Sequence, residues 1–259
     1  ETAEGDLVLA VIVEEDGQLV KLDADGNVLW TRRYELAGWQ YASQIAQTDD
    51  GGFLLAGFSM SSGSRRQADT WLARCTPAGD LAWETSFGDT AHDDYATSLI
   101  RLKDGTYLIG GIGNGMVLSR VDQEGEVLWR RSLVGQAVYG ADGLIELEDG
   151  GYLVAGFVQI INGRSYDAIL LRADVEGQIG VLYLGQTPPG LNVEIFAPGI
   201  VSIEEGKEYK ITISPDLQEI LFTRRTPGGR DDRLWYSRLE NGKLTMPTCL
   251  LYTSDAADE

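Results

Sequence analysis

The sequence predicts an all-β chain of the β-propeller class, with about four to five four-stranded antiparallel blades present. Three stretches, Leu19–Trp30, Leu72–Trp83 and Leu118–Trp129, share a leucine, a cation two residues later, a glycine and a tryptophan. A fourth stretch, 170–181, keeps this register without the tryptophan. The leading leucines are 53, 46 and 52 residues apart. Repeats of this length, made of short strands and glycine turns, are typical of propeller blades.

The fullest unit, residues 41–87, predicts four consecutive strands joined by tight turns. Its strands are YASQIAQT, FLLAGF, WLARCT and LAWETSF, and the Asp-Gly and Gly-Gly pairs between them supply the positive φ that hairpins require. Similar units follow at 95–133 and 140–181. The opening segment, 7–34, supplies three strands, so we expect the first blade to lack its inner strand and to lie at an open edge or borrow a strand from the C-terminal part.

The pattern divides the chain into four regions. Residues 1–182 form the repeated blades, and 183–206 form a connector rich in proline and glycine. Residues 207–247 form a blade of a different type. The ending, 248–259, breaks the blade pattern and is expected to be non-native, because residues 249–259 resemble translated sequencing-adapter read-through. We therefore expect a fragment clipped at both ends.

Composition excludes some partners. Twenty-one basic and 40 acidic side chains give a formal charge of -19, which repels nucleic acid and anionic lipid. Membrane insertion is not expected, because no apolar run reaches the roughly 18 residues of a spanning helix. Two cysteines cannot form a disulfide framework, and Cys75 lies where other repeats carry Leu22, Val121 and Ala173, so we expect it to be a small, buried hydrophobic residue.

The repeated tryptophans and cations each allow two interpretations. The tryptophans are expected to wedge between neighbouring sheets, which is favoured over a ring that stacks a sugar or a planar cofactor, because packing demands identical placement in successive units. The cations are expected to pair with a carboxylate or a carbonyl of their own blade, which is favoured over a basic ring for an anionic ligand. These cations are Lys21, Arg74, Arg120 and Arg172.

No residue is predicted to be catalytic, to bind a cofactor or to ligate a metal. His92 lies beside Asp93 and Asp94 and is a candidate base by proximity, although a solvated loop histidine is favoured. The stretch Asp23–Asn27 resembles half of a calcium loop but lacks its bidentate glutamate, so a hairpin turn is favoured. Paired acids on turns suit glycoside hydrolysis only if they face each other across a cleft.

Two long connections supply the candidate contact surface. Residues 59–70 and 158–168 occupy equivalent places in two blades, and loops on a rigid scaffold are where recognition tends to reside. Arg65, Arg66 and Arg164 are cations in these loops of a strongly acidic chain. They are the candidate partner-binding residues, although ordinary flexible hairpin loops are favoured.

Two resemblances follow from these motifs. Residues 7–181, with LVKLDADGNVLW and DGGFLLAG, resemble quinoprotein-like propeller blades of bacteria and archaea. Residues 208–245, with the SPD turn at 214–216 before EILFTR, resemble the TolB-type, WD-like propeller repeat, although Leu217 replaces its usual glycine. These resemblances imply a propeller fold and leave the activity open, because such repeats occur in cofactor enzymes and in noncatalytic surface proteins.

The sequence thus favours a noncatalytic propeller scaffold of an exported or surface bacterial protein, in the periplasm or outside the cell. It would bind a protein or a glycan through its rim loops or central channel. The alternatives are the propeller of a quinoprotein-like dehydrogenase, or of a hydrolase whose catalytic domain lies elsewhere, and a structural spacer. The question of enzymatic activity stays open, and no cofactor is expected.

Overall fold

The part of the chain that the structure describes forms twenty β-strands. The computed structural model describes residues 1–259 except 1, 3–4, 14–15, 35–38, 61–66, 135–137, 160–165, 181–196, 198, 204–206, 215, 217, 226–231, 242 and 252–259. Every regular element in this described part is a strand. The chain forms two compact units, residues 1–132 and 133–259.

The first unit contains three antiparallel sheets with strands in chain order. The first sheet has three strands and the other two have four each. Their strands are β1 (Leu7–Val13), β2 (Asp16–Leu22) and β3 (Val28–Tyr34); β4 (Trp39–Gln47), β5 (Phe53–Met60), β6 (Asp69–Cys75) and β7 (Leu81–Phe87); and β8 (Tyr95–Arg101), β9 (Tyr107–Gly113), β10 (Gly115–Val121) and β11 (Val127–Val134).

These sheets confirm the predicted fold class of four-stranded antiparallel blades. The first blade has three strands, as the sequence predicts, and within the described residues no further strand pairs with β1. Observed strand ends differ from the predicted ones by one or two residues, because strands continue into loops for as long as their backbone groups find partners.

The second unit contains one larger sheet, β12 to β14 followed by β16 to β19, with β15 on β14 and β20 on β18. One parallel bridge, Tyr166 to Lys207, joins β14 to β16. This sheet therefore comprises two blades in contact. Its strands are β12 (Val138–Glu146), β13 (Tyr152–Gln159), β14 (Tyr166–Ala173), β15 (Ile179–Gly180), β16 (Lys207–Ile213), β17 (Glu219–Arg225), β18 (Asp232–Glu240), β19 (Lys243–Leu244) and β20 (Thr248–Leu251).

The predicted regional boundaries at 182 and 206 fall next to residues outside the described part, and the division by repeat type stays a prediction. The start of the ending predicted to be non-native, Thr248–Leu251, pairs with β18. These four residues therefore take part in the last sheet, and the origin of 248–259 stays a prediction as well.

Blades of the first unit stack through interlocking side chains. The inner strand of each following blade lies across the preceding one, β4 against β1 and β2, and β8 against β4, β5 and β6. Buried leucine, alanine and aromatic residues fill the two interfaces, and Cys75 lies in one of them, fully buried as predicted. Apolar burial on both faces of a sheet is the expected source of stability for stacked blades.

The repeated tryptophans fit against glycines of the next blade. Trp30 lies over Gly79 and Trp83 over Gly125, so closely that a Cβ built on each glycine would lie 2.8 Å and 2.6 Å from the ring. Both glycines sit in the turn between the third and fourth strands at a φ of 84° and 86°. The predicted wedge role is therefore confirmed for these two tryptophans.

The second unit is held by an apolar cluster and a buried ion pair. Arg224 donates from Nε to Glu208 at 2.9 Å, and their side chains are 7% and 0% exposed. The guanidinium also donates to the carbonyls of Ile200 and Val201 and lies over the rings of Phe222 and Trp235 at 5.0 and 5.2 Å. The hydrogen bonds from Arg224 therefore hold the turn that contains Ile200 and Val201 against the last blade.

The strand pairing gives each blade two ends with different connections. At one end lie the tight turns of the Asp-Gly type, at residues 48–52 and 102–106 for example. At the other end the second strand passes to the third, and one blade passes to the next. We call these ends the turn face and the loop face.

Candidate functional site

Four blades each carry one ion pair at the turn face, between a third-strand cation and an aspartate of the same blade. Charges at this exposure contribute at most about 1 kcal/mol per pair. The predicted pairing within blades is confirmed for all four cations. The pairs are Lys21 with Asp6 at 2.9 Å, Arg74 with Asp50 at 2.5 Å, Arg120 with Asp104, and Arg172 with Asp149.

The calcium-like stretch Asp23–Asn27 is a hairpin turn, as favoured. The Asp23 carboxylate accepts the backbone N–H groups of Asp25 and Asn27 at 3.0 and 2.8 Å. Asp122 and Asp174 cap the equivalent turns of two other blades in the same way. A carboxylate that accepts backbone N–H groups of its own turn is a structural feature of that turn.

The link between the second and third blades, residues 88–94, lies at the loop face and contains His92. The His92 Nδ1 atom is 3.4 Å from an oxygen of Asp89. Asp93 instead accepts the Ala68 N–H at 2.8 Å and bonds the hydroxyl of Tyr95. The three neighbours His92, Asp93 and Asp94 therefore have different partners and form no base-and-acid unit.

Asp94 is the buried acid of this link, at 1% exposure. It pairs with Arg130 of β11 and accepts the Asp89 N–H. Burial raises the pKa of the Asp94 carboxyl above its usual range, and the Arg130 charge opposes this shift. With both oxygens bonded inside the protein, Asp94 fixes the path of the chain from blade to blade.

Three aromatic rings meet next to this link. Tyr41 and Phe58 stack with centroids 5.4 Å apart and an interplanar angle of 22°. Phe58 meets Tyr95 edge to face at 5.0 Å. Tyr41 is 42% exposed, and the other two rings are partly buried. We call Tyr41, Phe58, Tyr95 and Asp93 the loop-face cluster.

Strand register explains why these rings converge. Tyr41 is the cross-strand partner of Phe58 near the loop-face ends of β4 and β5, and cross-strand partners share a side of the sheet. Ser43 forms a bulge two residues further along β4 and donates to the Ala96 carbonyl of β8 at 2.7 Å. The bulge thus ties the inner strands of the two blades together beside the aromatic rings.

Arg65, Arg66 and Arg164, the predicted contact residues, lie outside the described residues. The structure does place the strands that flank their loops. Ser59 pairs with Asp69 and Gln159 pairs with Tyr166 at the ends of the second and third strands. The two loops therefore make the same connection in their blades, and the role of the three arginines stays a prediction.

A second candidate group occurs in the other unit, at the inner strand β12. The bulges of β4, β8 and β12 place Ser43, Thr97 and Asp142 at equivalent positions. Asp142 accepts the backbone N–H of Lys210, and its Oδ2 is buried and has no hydrogen-bond partner among the described atoms. Burial raises the pKa of Asp142 to about 6, which the charge of Lys210 partly opposes.

Sequence reasoning missed both groups, although each leaves a signal. Tyr41 and Tyr95 begin the matching segments YAS and YAT, so the repeat alignment places an aromatic ring at the same end of two neighbouring inner strands. Asp142 stands where the other repeats carry Ser43 and Thr97. A departure from the repeat marks a place where packing alone does not dictate the residue.

Within the described part of the chain, no group of three or more histidine, cysteine or acidic side chains is arranged to hold a metal ion. None of the segments that the structure describes forms a helix able to span a membrane.

Comparison with known proteins supports the fold. No protein-family model matches the sequence, and no curated protein matches it. Among solved structures, the chain is similar to Kuenenia stuttgartiensis hydrazine synthase, with a TM-score of 0.59 and 14% identity over 95% of this chain and 63% of that one.

It is also similar to Bacillus subtilis arabinanase Arb43A, with a TM-score of 0.53 and 15% identity over 95% of this chain and 97% of that one. A third similar structure is a protein of unknown function from Bacteroides caccae, with a TM-score of 0.54 and 14% identity over 94% and 73% of the two chains. At such identities the likeness concerns architecture alone. Together with the antiparallel blades, it shows that the chain has a β-propeller fold.

Proposed function

We propose that this chain is a noncatalytic β-propeller scaffold of an exported or surface bacterial protein, located in the periplasm or outside the cell. It binds a protein or a glycan through its loop face or central channel. The proposal includes the finer assignment of the repeats as quinoprotein-like over 7–181 and TolB-type over 208–245.

The loop-face cluster is the observation that carries this proposal. At the turn face, charged side chains pair with each other in the same way from blade to blade, for example Arg74 with Asp50 and Arg120 with Asp104. At the loop face, by contrast, the Tyr41 ring remains 42% exposed within a group of three aromatic rings. An exposed aromatic residue beside polar groups on a rigid scaffold is a favourable recognition surface.

The test is a binding screen with the full chain. Glycan microarrays and a panel of candidate secreted or periplasmic proteins would be probed with wild type and with Tyr41→Ala. The proposal expects at least one ligand that binds wild type and loses affinity in the variant. As a control, Val28→Ala alters an exposed hydrophobic residue at the turn face, 63% accessible, and leaves binding unchanged.

Turnover would contradict the noncatalytic assignment. The same preparations would be assayed for release of reducing sugar from polysaccharides and for dye-linked oxidation of alcohols and sugars with added quinone cofactor. Ligand binding without turnover supports the scaffold, whereas reproducible turnover that follows the protein through purification overturns it.

A second candidate function is the propeller portion of a dehydrogenase or hydrolase, and Asp142 favours it. Acids whose pKa is raised towards neutrality by burial are frequent at catalytic sites. Asp142 has such a pKa, about 6, on an inner strand of its blade. This candidate predicts an activity that Asp142→Asn abolishes while the fold is retained.

A further inference from the structure

We infer that the loop-face cluster binds a cationic side chain, a lysine ammonium or an arginine guanidinium, presented by a protein partner. This inference deepens the proposed function and depends on it. Of the two partner classes in that proposal, protein and glycan, it selects the protein, and it specifies the chemistry of the contact.

The aromatic geometry supplies the first part of the argument. A cation is attracted to the face of an aromatic ring when it lies within about 6 Å of the ring centre. Tyr41, Phe58 and Tyr95 have successive centroid distances of 5.4 and 5.0 Å. An ammonium group over the exposed Tyr41 ring can therefore lie within this range of that ring, which stacks on Phe58 and is backed through it by Tyr95.

Asp93 strengthens this attraction. Asp93 is an exposed residue, and its carboxylate bonds the hydroxyl of Tyr95. A hydroxyl that donates to a carboxylate makes the phenol ring richer in electrons, which increases the attraction of the ring for a cation. The carboxylate also offers a charge-assisted hydrogen bond at the edge of the cluster.

The charges around the loop-face cluster are mainly negative, like that of Asp93. Asp69 and Asp89 lie near Asp94 at the start of β6 and in the link, while Asp94 and Arg130 satisfy each other. Over the whole chain the formal charge is -19. Such a field steers basic partners towards the surface and increases their association rate.

A glycan fits this cluster less well than a cation does. Neutral sugars gain nothing from the long-range acidic field, and anionic sugars are repelled by it. Arg65 and Arg66, in the loop after Met60, are the residues that would favour an anionic group. If the ligand were anionic, replacing these two arginines would weaken its binding.

The experiment compares two peptides that differ by one charged group. One carries a lysine between glycines with blocked ends, and the other carries norleucine, which keeps the aliphatic stem without the ammonium. Binding to the full chain is measured by NMR titration at low and at high salt. We expect the lysine peptide to bind about fivefold or more tighter than the norleucine peptide, and to weaken as salt increases.

Variants locate the contact. Tyr41→Ala and Asp93→Asn should each weaken lysine-peptide binding about threefold or more. Asp25→Asn removes the same charge from an exposed position in a turn at the turn face and should leave binding within experimental error of wild type. Replacement of Arg65 and Arg66 by alanine should leave binding equal or tighter.

Three results would overturn the inference. Equal binding of both peptides would show an apolar contact without charge recognition. Absence of peptide binding together with binding of a neutral or anionic glycan that requires Tyr41 or the loop arginines would refute the cationic ligand and retain the scaffold. If neither peptides, proteins nor glycans bind, the inference and the proposed function both fail.

Discussion

Replacement of Gly125 by alanine tests how neighbouring blades interlock. Gly125 has a φ of 86°, where a non-glycine residue is strained by roughly 1–2 kcal/mol. A Cβ at this position would also lie 2.6 and 2.8 Å from ring atoms of Trp83. Because real Cβ atoms do not approach so closely, the indole must shift, and overpacking of this kind costs about 1–3 kcal/mol.

Gly26 is the matched control, because it occupies the equivalent turn of the first blade. Its φ is 87°, and a Cβ there would meet no atom within 4 Å. Gly26→Ala therefore carries the backbone strain alone. We predict that Gly125→Ala lowers the free energy of unfolding by about 2–5 kcal/mol, and that this loss exceeds that of Gly26→Ala by about 1–3 kcal/mol.

Urea unfolding followed by tryptophan fluorescence and circular dichroism measures both losses. The double variant Trp83→Leu with Gly125→Ala completes the comparison, because a smaller side chain removes the collision and should give a favourable coupling energy. Equal destabilisation by the two alanine substitutions, or complete additivity in the double variant, would refute the interlocking of Trp83 with the next blade.

The remaining predictions concern three polar contacts. Arg224→Ala should destabilise the second unit by about 3–5 kcal/mol, because Glu208 is then left buried without its counter-ion, and Arg224→Met with Glu208→Leu should recover most of that loss. The folded state binds the Asp142 proton more tightly than the unfolded state, so the contribution of Asp142 to stability should fall by roughly 2–3 kcal/mol as pH rises from about 4 to 6, and Asp142→Asn should remove this fall. Ser43→Ala should cost about 1 kcal/mol by removing the hydrogen bond to the Ala96 carbonyl.

Each of these has a direct check in denaturation measurements. Arg225→Ala is the control for the buried pair, because Arg225 and Asp232 are each 39% exposed and their pair should contribute at most about 1 kcal/mol. Unfolding titrations of wild type and Asp142→Asn between pH 4 and 7 test Asp142, and a stability difference, wild type minus variant, that rises over pH 4–6 would contradict the sign. For Ser43, an alanine variant as stable as wild type would show that the bond between the inner strands contributes nothing.

The fold could be predicted from the sequence because its determinants are local. Glycines such as Gly79 and Gly125 mark the turns, and the Leu-x-cation register marks the third strands, so both recur visibly in each repeat. The wedge role of Trp30 and the ion pair of Arg74 followed from the same repetition. Small differences at strand ends arise because loop residues continue the ladder where partners are available.

The candidate site depends on contacts between repeats, which periodicity does not reveal. Tyr41, Phe58 and Tyr95 are separated by 17 and 37 residues in sequence and meet only because β8 packs across β4 and β5. Similarly, the raised pKa of Asp142 results from burial beside β16, a strand of the following blade. Sequence analysis instead selected the loop arginines by charge, and that choice stays a prediction.

Hydrogen–deuterium exchange of the full chain, with and without the lysine peptide, tests the central claim that the loop face is the binding surface. We predict slower exchange in segments covering β4, the end of β5 and residues 88–95, and no change in the turns at 23–27, 76–80 and 122–126. Protection confined to those turns, or an unchanged loop face under conditions where binding saturates, would contradict the account.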